Sequence, residues 1–359
     1  MLVRRLELTD FRSYRTATID LTAELTAVVG ANGTGKTNLV EALAFLATLE
    51  SFRGAPAAAL VREGADQAVV RGAVEQEDGR TVSIECELGP TGRSRVQVNK
   101  HRLQRSADLL GVLRVTVFSP DDLALVKEAP ALRRRFLDDT LVALSSRYDA
   151  LRRDVERVLR HKAALLKQCG GRLGDDAAFT LDVWDAKLAE AGGRLGDARA
   201  HLVDALGPHV TAAYDDLAAR RSAVVLRYAP AWRRAGLVAA LAAARPDEVR
   251  RQVCLVGPHR DDLELEIGGL PARSHASQGE QRTLALALRL AAHRLTIERT
   301  GTTPVLVLDD VLSELDDARA AALLANLPSG QVLLTTAGPL PADARPGRVV
   351  TVADGTLVG

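Results

Sequence analysis

Leu25-Thr26-Ala27-Val28-Val29-Gly30-Ala31-Asn32-Gly33-Thr34-Gly35-Lys36-Thr37 is the stretch on which the fold turns. Its first five residues read as a buried strand, and the run from Asn38 to Leu49 that follows has the apolar spacing of a helix. Between them, Gly30 to Thr37 fits G-x-x-x-x-G-K-[ST]. At average residue usage the four fixed positions would match by chance in roughly one chain of this length in a hundred. The strand before and the helix after make a bare glycine-rich turn a poor account. The pattern suits a phosphate cradle: backbone N–H groups at a helix N-terminus face the anion, a lysine reaches the β and γ oxygens, and a hydroxyl binds Mg²⁺. Gly30, Ala31, Asn32, Gly33, Thr34, Gly35, Lys36, Thr37 and Asn38 are therefore expected to surround ATP, with Lys36 catalytic and Thr37 on the metal.

Such a loop needs a carboxylate at the end of a neighbouring strand. Val305-Leu306-Val307-Leu308-Asp309-Asp310 supplies four apolar residues and then two acids. Asp309 is the expected Mg²⁺ residue, and Asp310 is placed to orient or deprotonate an attacking water. Alone, an apolar run ending in Asp is as readily an ordinary strand end. Upstream, however, Ser277-Gln278-Gly279-Glu280-Gln281-Arg282 opens a periodic helical run, with Ser277 as N-cap and Glu280 three residues on, as in a capping box. Capping does not account for Gly279, which weakens a helix start and suits close backbone approach to a ligand.

Composition bounds the remaining possibilities. A chain of 359 residues, 47% hydrophobic, can bury the cores of two lobes. Its 47 basic and 46 acidic residues, net +1, leave no whole-chain attraction for nucleic acid, so a DNA surface must be a local patch. Cys86, Cys169 and Cys254 lie far apart without a CxxC pair, which argues against a disulfide framework or a metal hook. The charged start MLVRRLELTDF and the lack of an 18-residue apolar run argue against a signal peptide or a membrane span, hence for a cytoplasmic protein.

Strand-like runs at 2–8, 19–21, 25–29, 69–74, 82–88 and 96–98, separated by DGR and GPTGR turns, predict a mixed or antiparallel β subdomain on the phosphate-loop core. From about 121 to 250 the pattern becomes helical, with glycine breaks expected at 170–174 and 192–196. Then follow GPHRDDLELEIGG, a long helix over 280–299 and the buried strands PVLVLDD and QVLLTT. The chain leaves its first fold and returns to it. The expected division is 1–120, 121–248 and 249–359.

The order of phosphate loop, S-x-G-[EQ] at a helix start, acidic strand and Ser313-Glu314-Leu315-Asp316 resembles the head of ABC-type ATPases. The fold class this implies is α/β: an ABC-type P-loop ATPase head, mixed sheet plus antiparallel β subdomain, with an inserted helical lobe. The resemblance also implies a homodimer with two ATP molecules at its interface. Ser277, Gln278, Gly279 and Glu280 would then act on the partner's ATP, Ser313 and Asp316 would lie in the loop crossing the dimer axis, and Lys36, Asp309 and Asp310 would be catalytic in cis. Two departures from the transporter-type pattern bear on fast hydrolysis: Asp310 stands where most members carry Glu, and Thr335-Thr336 stands where transporters carry a switch histidine.

Leu8-Thr9-Asp10-Phe11-Arg12-Ser13-Tyr14, Phe118-Ser119-Pro120-Asp121-Asp122-Leu123, Arg133-Arg134-Arg135-Phe136-Leu137-Asp138 and Gly257-Pro258-His259-Arg260-Asp261-Asp262-Leu263 narrow the resemblance to the RecF family of SMC-like ATPases. It covers the chain to about residue 340. It implies ATP and Mg²⁺ as cofactors, binding of double-stranded DNA near single-strand gaps, RecR and RecO as partners, RecA loading, and weak DNA-stimulated hydrolysis. By the same analogy Arg12 contacts nucleotide phosphates and FSPDDL couples the nucleotide site to the inserted lobe. From the residues alone, FRSY also reads as an ordinary strand end, and His259-Arg260-Asp261 equally as a surface salt-bridge turn.

For DNA, the stretch from Arg133 to Lys167 offers Arg133, Arg134, Arg152, Arg153, Arg157 and Arg160 at helical spacings. A solvated, charge-paired helix face accounts for it as well. With aromatics at 3%, duplex backbone contacts fit better than base stacking. Two other readings stand beside the main one: an ATP-gated DNA scaffold that does not depend on hydrolysis, and an ABC transport subunit.

Overall fold

Two hydrophobic periodicities sort the N-terminal strands into two sheets. The computed structural model describes residues 1–89, 94–104, 106–109, 111–218, 221–228, 230–353 and 355–358; most of the expected GPTGR turn lies outside them. Strands β1 (Leu2–Phe11) and β2 (Tyr14–Asp20) bury one face each, through Val3, Leu6, Leu8 and Phe11 and through Tyr14, Ala17 and Ile19, whereas β3 (Leu25–Val29) is buried almost throughout. Helix α1 (Lys36–Thr48) follows, then β4 (Ala68–Glu75), β5 (Thr81–Leu88), β6 (Ser94–Val98), β7 (His101–Arg102) and β8 (Val115–Phe118). With β4 to β7, β1 and β2 form an antiparallel sheet in the order β2-β1-β4-β5-β6-β7.

The chain then builds a second compact unit from α2 (Ala124–Lys127), α3 (Pro130–Leu144), α4 (Arg147–Gln168), most of α5 (Asp175–Ala218), β9 (Val224–Tyr228), α6 (Leu237–Arg251), β10 (Leu263–Ile267), β11 (Leu270–Pro271) and α7 (Ala272–His275). It returns through α8 (Gln278–Thr300), β12 (Val305–Asp309), α9 (Asp317–Ala325), β13 (Val332–Thr336), β14 (Arg348–Ala353) and β15 (Thr356–Val358). The returning strands complete a sheet in the order β15-β14-β3-β13-β12-β8, parallel except for the β14–β15 pair. β12 and β13 are buried at every position, which is why their sequences are continuous apolar runs.

Helix α1 packs against strands of both sheets of the first unit, so it is apolar nearly all round. Leu39, Leu43, Phe45 and Leu46 are at most 1% exposed, and each contributes about 1.5–3 kcal/mol of burial. A Cβ on Gly72 of β4 would lie 2.9 Å from Leu46 Cδ1, so this glycine admits the helix to the sheet.

The structure departs from the sequence expectations in three places. The glycine break at 170–174 is present, but α5 runs unbroken through Gly192 and Gly196. A Cβ on Gly196 would meet the Trp232 ring within 2.8 Å, and one on Gly192 would lie 3.0 Å from Leu237 and 3.1 Å from Pro258, so these glycines serve close packing. Residues 249–277, expected with the head, belong to the second unit, which spans 124–211 and 222–277. The reason is pairing: β10 zips onto β9, and Asp261 and Asp262 anchor to that unit's arginines. Finally, QVLLTT is followed by two further strands, β14 and β15.

Candidate functional site

The phosphate loop joins β3 to α1, and its glycines are there for contact as much as for curvature. Gly35 sits at φ +113°, and a Cβ there would lie 2.8 Å from Ser13 Oγ and 3.1 Å from the Tyr14 hydroxyl. A Cβ on Gly30 would collide with the Val352 carbonyl oxygen. The Tyr14 hydroxyl donates to the Gly35 carbonyl at 3.0 Å, and burial pushes its pKa up to about 12, which keeps it a donor. Asn38 donates to Ser13 Oγ at 2.9 Å, and the Gly355 N–H donates to the Thr34 carbonyl at 3.3 Å. The β1–β2 turn and the β14–β15 hairpin thus buttress the loop together, a Cβ on Gly355 falling 2.8 Å from the Ser13 carbonyl oxygen. The sequence reading placed no functional weight on Ser13, Tyr14 or Gly355.

Helix α1 starts at Gly35 without a side-chain cap, so its first N–H groups face the loop as an anion site. Lys36 is 5% exposed and donates to the Gly30 and Ala31 carbonyls at 2.8 and 2.9 Å, which holds its ammonium under the loop. Across the parallel sheet the Thr37 hydroxyl donates to Asp309 Oδ1 at 3.1 Å, and the Thr335 hydroxyl donates to the same oxygen at 2.8 Å. Asp309 is 3% exposed; burial pushes its pKa up, hydrogen bonds from Thr335 and Thr37 draw it down, and Asp310 pushes it up again. A buried carboxylate beside a hydroxyl at the foot of an anion cradle fits a magnesium-bound phosphate, whose cation would relieve the cost of Asp309's charge. Arg53, exposed in the segment after α1, also lowers the pKa of Asp309 and is a further cation of this site that the sequence reading did not single out.

Asp310 follows in the left-handed region at φ +49°, with its N–H donating to Thr335 Oγ1 at 2.9 Å and to the Thr335 carbonyl at 3.1 Å. Thr335 therefore fixes both acids. The Ser313 hydroxyl donates to the Asp310 carbonyl at 2.7 Å. Asp316 caps α9, accepting from the Arg319 N–H at 2.9 Å and pairing with the Arg319 guanidinium.

Ser277 and Gln278 are exposed, and Gly279 and Glu280 are half-buried at the start of α8. The Arg319 guanidinium covers Gly279: a Cβ there would lie 3.3 Å from Nη1. Arg282 donates to the Glu314 carbonyl at 3.1 Å and pairs with its carboxylate. The start of α8, the signature turn of the ABC-type pattern, and the loop after β12 are thus tied together, and Ser277 and Ser313 are exposed.

Several of the expected site residues are engaged by partners within the chain. Arg12 does not point its fork at the loop: it makes a bidentate pair with the fully buried Glu41 at 2.8 and 2.9 Å and donates to the Ala59 carbonyl at 3.1 Å. Arg133 is 5% exposed and is clamped to Asp262 at 2.7 and 2.9 Å and to the Leu125 and Glu128 carbonyls. Arg134 donates to the Asp261 carbonyl at 2.7 Å. Of the other DNA candidates, Arg152 pairs with Asp139 and Asp149, Arg153 with Asp149 and Arg157 with Asp154; Arg153, Arg157 and Arg160 are exposed.

GPHRDDL, which forms a short turn at Pro258–Arg260, anchors the second unit. Asp261 accepts from the Tyr228 hydroxyl and from Trp232 Nε1 at 2.8 Å; Arg199, 3% exposed, grips Asp138 at 2.7 and 2.8 Å and donates to the Pro258 carbonyl. RRRFLD and GPHRDD thus meet each other. In the first unit, FSPDDL meets α8: Arg289 donates to Asp122 at 2.6 and 3.0 Å.

The chain is similar to known proteins along nearly its whole length. Residues 2–337 match the family described as RecF/RecN/SMC N terminal domain. The DNA replication and repair protein RecF of Streptomyces avermitilis is 44% identical over 376 residues, covering 99% of each chain. That of Acidothermus cellulolyticus is 43% identical over 348 residues, covering 94% of this chain and 93% of its own. A solved structure of the recombination mediator protein RecF with ATP, from the RecFOR pathway, superposes with a TM-score of 0.90 at 28% identity, over 99% of this chain and 96% of that one. The Smc head domain of Pyrococcus furiosus, at TM-score 0.59 and 19% identity over 99% of this chain and 94% of that one, shares the fold.

Proposed function

This chain belongs to the RecF/RecN/SMC N-terminal domain family and within it to the RecF group, and from that membership we propose that it is an ATP-gated homodimer that binds double-stranded DNA near single-strand gaps in recombinational repair. The observation that carries the reading is the Thr37–Asp309 contact, made across 272 positions, which joins the two halves of a nucleotide site beneath an uncapped helix start. Gly30 to Asn38 would hold the phosphates of ATP, with Lys36 neutralising the β and γ oxygens, and Thr37 and Asp309 would hold Mg²⁺, which would offset phosphate charge. Bound ATP supplies the transferable phosphoryl group. Asp310 orients the attacking water and accepts its proton. Ser277, Gln278, Gly279 and Glu280 face the nucleotide of a second copy, and Ser313 and Asp316 lie along the axis between the copies.

Closure follows binding because each site is complete only with a second signature turn, so ATP favours the dimer by its differential affinity for it. DNA stabilises the dimer, and slow hydrolysis releases it. In this role the protein acts in the cytoplasm with RecO and RecR, upstream of RecA loading. A second reading, ATP gating without a need for hydrolysis, is favoured by Asp310: its carboxylate is one methylene shorter than a glutamate's, and its backbone is pinned to Thr335.

Sedimentation velocity on wild type and Ser277→Arg, with and without Mg-ATP and a short labelled duplex, tests the proposal. A DNA-bound dimer is expected only for wild type with ATP. ATP-independent binding by a monomer would overturn the trans-site mechanism. An Asp310→Asn variant that still dimerises and supports every function would favour the scaffold reading.

A further inference from the structure

We propose that the β6–β7 hairpin, at the edge of the antiparallel sheet, grips the phosphate backbone of duplex DNA through Arg95, Lys100 and Arg102; the inference rests on the DNA-binding reading above and assigns its surface. The sequence from 89 to 107 contains five Lys and Arg residues and no acid. In a chain balanced to a net +1 this is a local excess of one sign. The strands pair Gln97 with Arg102 and Val98 with His101. Val96 is buried at 8% exposure, so Arg95, two residues before Gln97, shares the outer face with Arg102, about 7 Å along the sheet. Lys100, His101 and Arg102 are exposed and make no ion pair among the described residues; Arg95 lies 3.5 Å from Glu87.

The turn itself points the same way. Asn99 and Lys100 both have positive φ, +50° and +66°, the two-residue connection that favours Asn followed by Gly. Asn99 fits: its N–H donates to the Ser83 carbonyl at 2.8 Å and its side-chain oxygen accepts from the Ser83 N–H at 2.9 Å, pinning the tip to β5. Lysine at the second position is strained where glycine would be relaxed. Charge on an edge strand also discourages edge-to-edge pairing, but either sign would serve that end, and it does not require lysine at the glycine position. On α3 and α4, by contrast, Arg133, Arg135, Arg152, Arg153 and Arg157 are each paired with an aspartate. Among the described residues Lys100 and Arg102 are exposed cations without an ion pair, as is Arg160 on α4, and the hairpin sets its two cations one residue apart beside Arg95.

The test is fluorescence anisotropy of a labelled duplex against the full-length protein with Mg-ATP across a salt series. Sedimentation is run alongside to follow the ATP-dependent dimer, and thermal melts to follow folding. Lys100→Glu/Arg102→Glu is expected to lower duplex affinity by roughly an order of magnitude and to lower the slope of log affinity against log salt by about 2, with ATP-driven dimerisation kept. Lys100→Gly is expected to melt no lower than wild type, since it relaxes the turn, while lowering that slope by about 1. Unchanged affinity and slope in both variants would overturn the inference, as would an Arg153→Glu/Arg157→Glu variant that alone abolishes binding. Absence of duplex binding by the wild type at every salt concentration would overturn the DNA reading itself, and this inference with it.

Discussion

Asp309 carries its charge where burial opposes it. A carboxylate whose folded pKa is raised contributes stability that is fully present below its unfolded pKa, about 3.9, and lost as pH rises through the folded value. At neutral pH the nucleotide-free site is therefore under electrostatic cost. Asp309→Asn keeps an oxygen to accept from Thr37 and Thr335 and removes that cost. It is expected to raise the melting temperature at pH 7 by a few degrees, with the gain vanishing towards pH 4 in a fluorimetric melt series, while Mg²⁺-dependent ATP hydrolysis is lost. A variant that melts lower at pH 7 would contradict the account. Lys36, Thr37 and Asp309 were legible in the sequence because motif spacing and a strand end specify them. The destination of Arg12 was not: its partner Glu41 lies on α1, and that meeting depends on how the β1–β2 turn lies against the helix. Arg133 and Arg134 likewise read as a cationic face until β10 brought Asp261 and Asp262 to them.

Among the elements, α8 does most to tie the signature turn to the sheet. Its length and start were plain from apolar periodicity and the Ser-x-Gly-Glu sequence. Its polar anchors were not, because they reach residues far upstream in the chain. One is Arg289 to Asp122; the other is His293, 1% exposed, whose Nδ1 lies 2.9 Å from Thr116 Oγ1 on β8. Burial, and after it the charge of Arg294, lowers the His293 pKa to about 4. A depressed histidine pKa contributes stability that is present above its unfolded value, about 6.5, and lost as pH falls through the folded one. Wild type is thus expected to lose up to a few kcal/mol more than His293→Gln between pH 6.5 and pH 4, because each pH unit separating the folded and unfolded values is worth about 1.36 kcal/mol. Urea midpoints across that range check it, and parallel pH profiles for the two proteins would refute it. The unbroken α5 teaches a related lesson. Gly192 and Gly196 read as breaks because glycine is the poorest helix former after proline, yet here the missing side chains make room for Pro258, Leu237 and Trp232.

For the whole molecule, the sequence exposed the interrupted head but not the limits of its insertion, since β9–β10 pairing, which draws 249–277 into the second unit, leaves no local mark. The proposed ATP-gated dimer has a thermodynamic signature of its own. A ligand bound only to the native state at a hundred times its Kd adds about 2.7 kcal/mol, and an assembly adds a dependence on protein concentration. With Mg-ATP the wild-type melting temperature is expected to climb by a few degrees per decade of protein, whereas that of Ser277→Arg is expected to rise with ATP but stay flat with protein. Equal concentration dependence in the two would exclude assembly through the signature turn.

The strand order β15-β14-β3-β13-β12-β8 has a further consequence, for the protein's birth. β3 and β8 both leave the ribosome early, yet they are not neighbours: β13 and β12, encoded near the other end of the message, must slot between them. At roughly 5–20 residues per second, a nascent chain waits on the order of 15 to 50 s between making Thr37 and making Asp309. Through that interval it carries two apolar strands with open edges, a form suited to chaperones and prone to aggregate. A translation product ended before residue 309 would lack this acid, so only a nearly finished polypeptide acquires the proposed metal site and, with it, the proposed switch that would commit it to a chromosome.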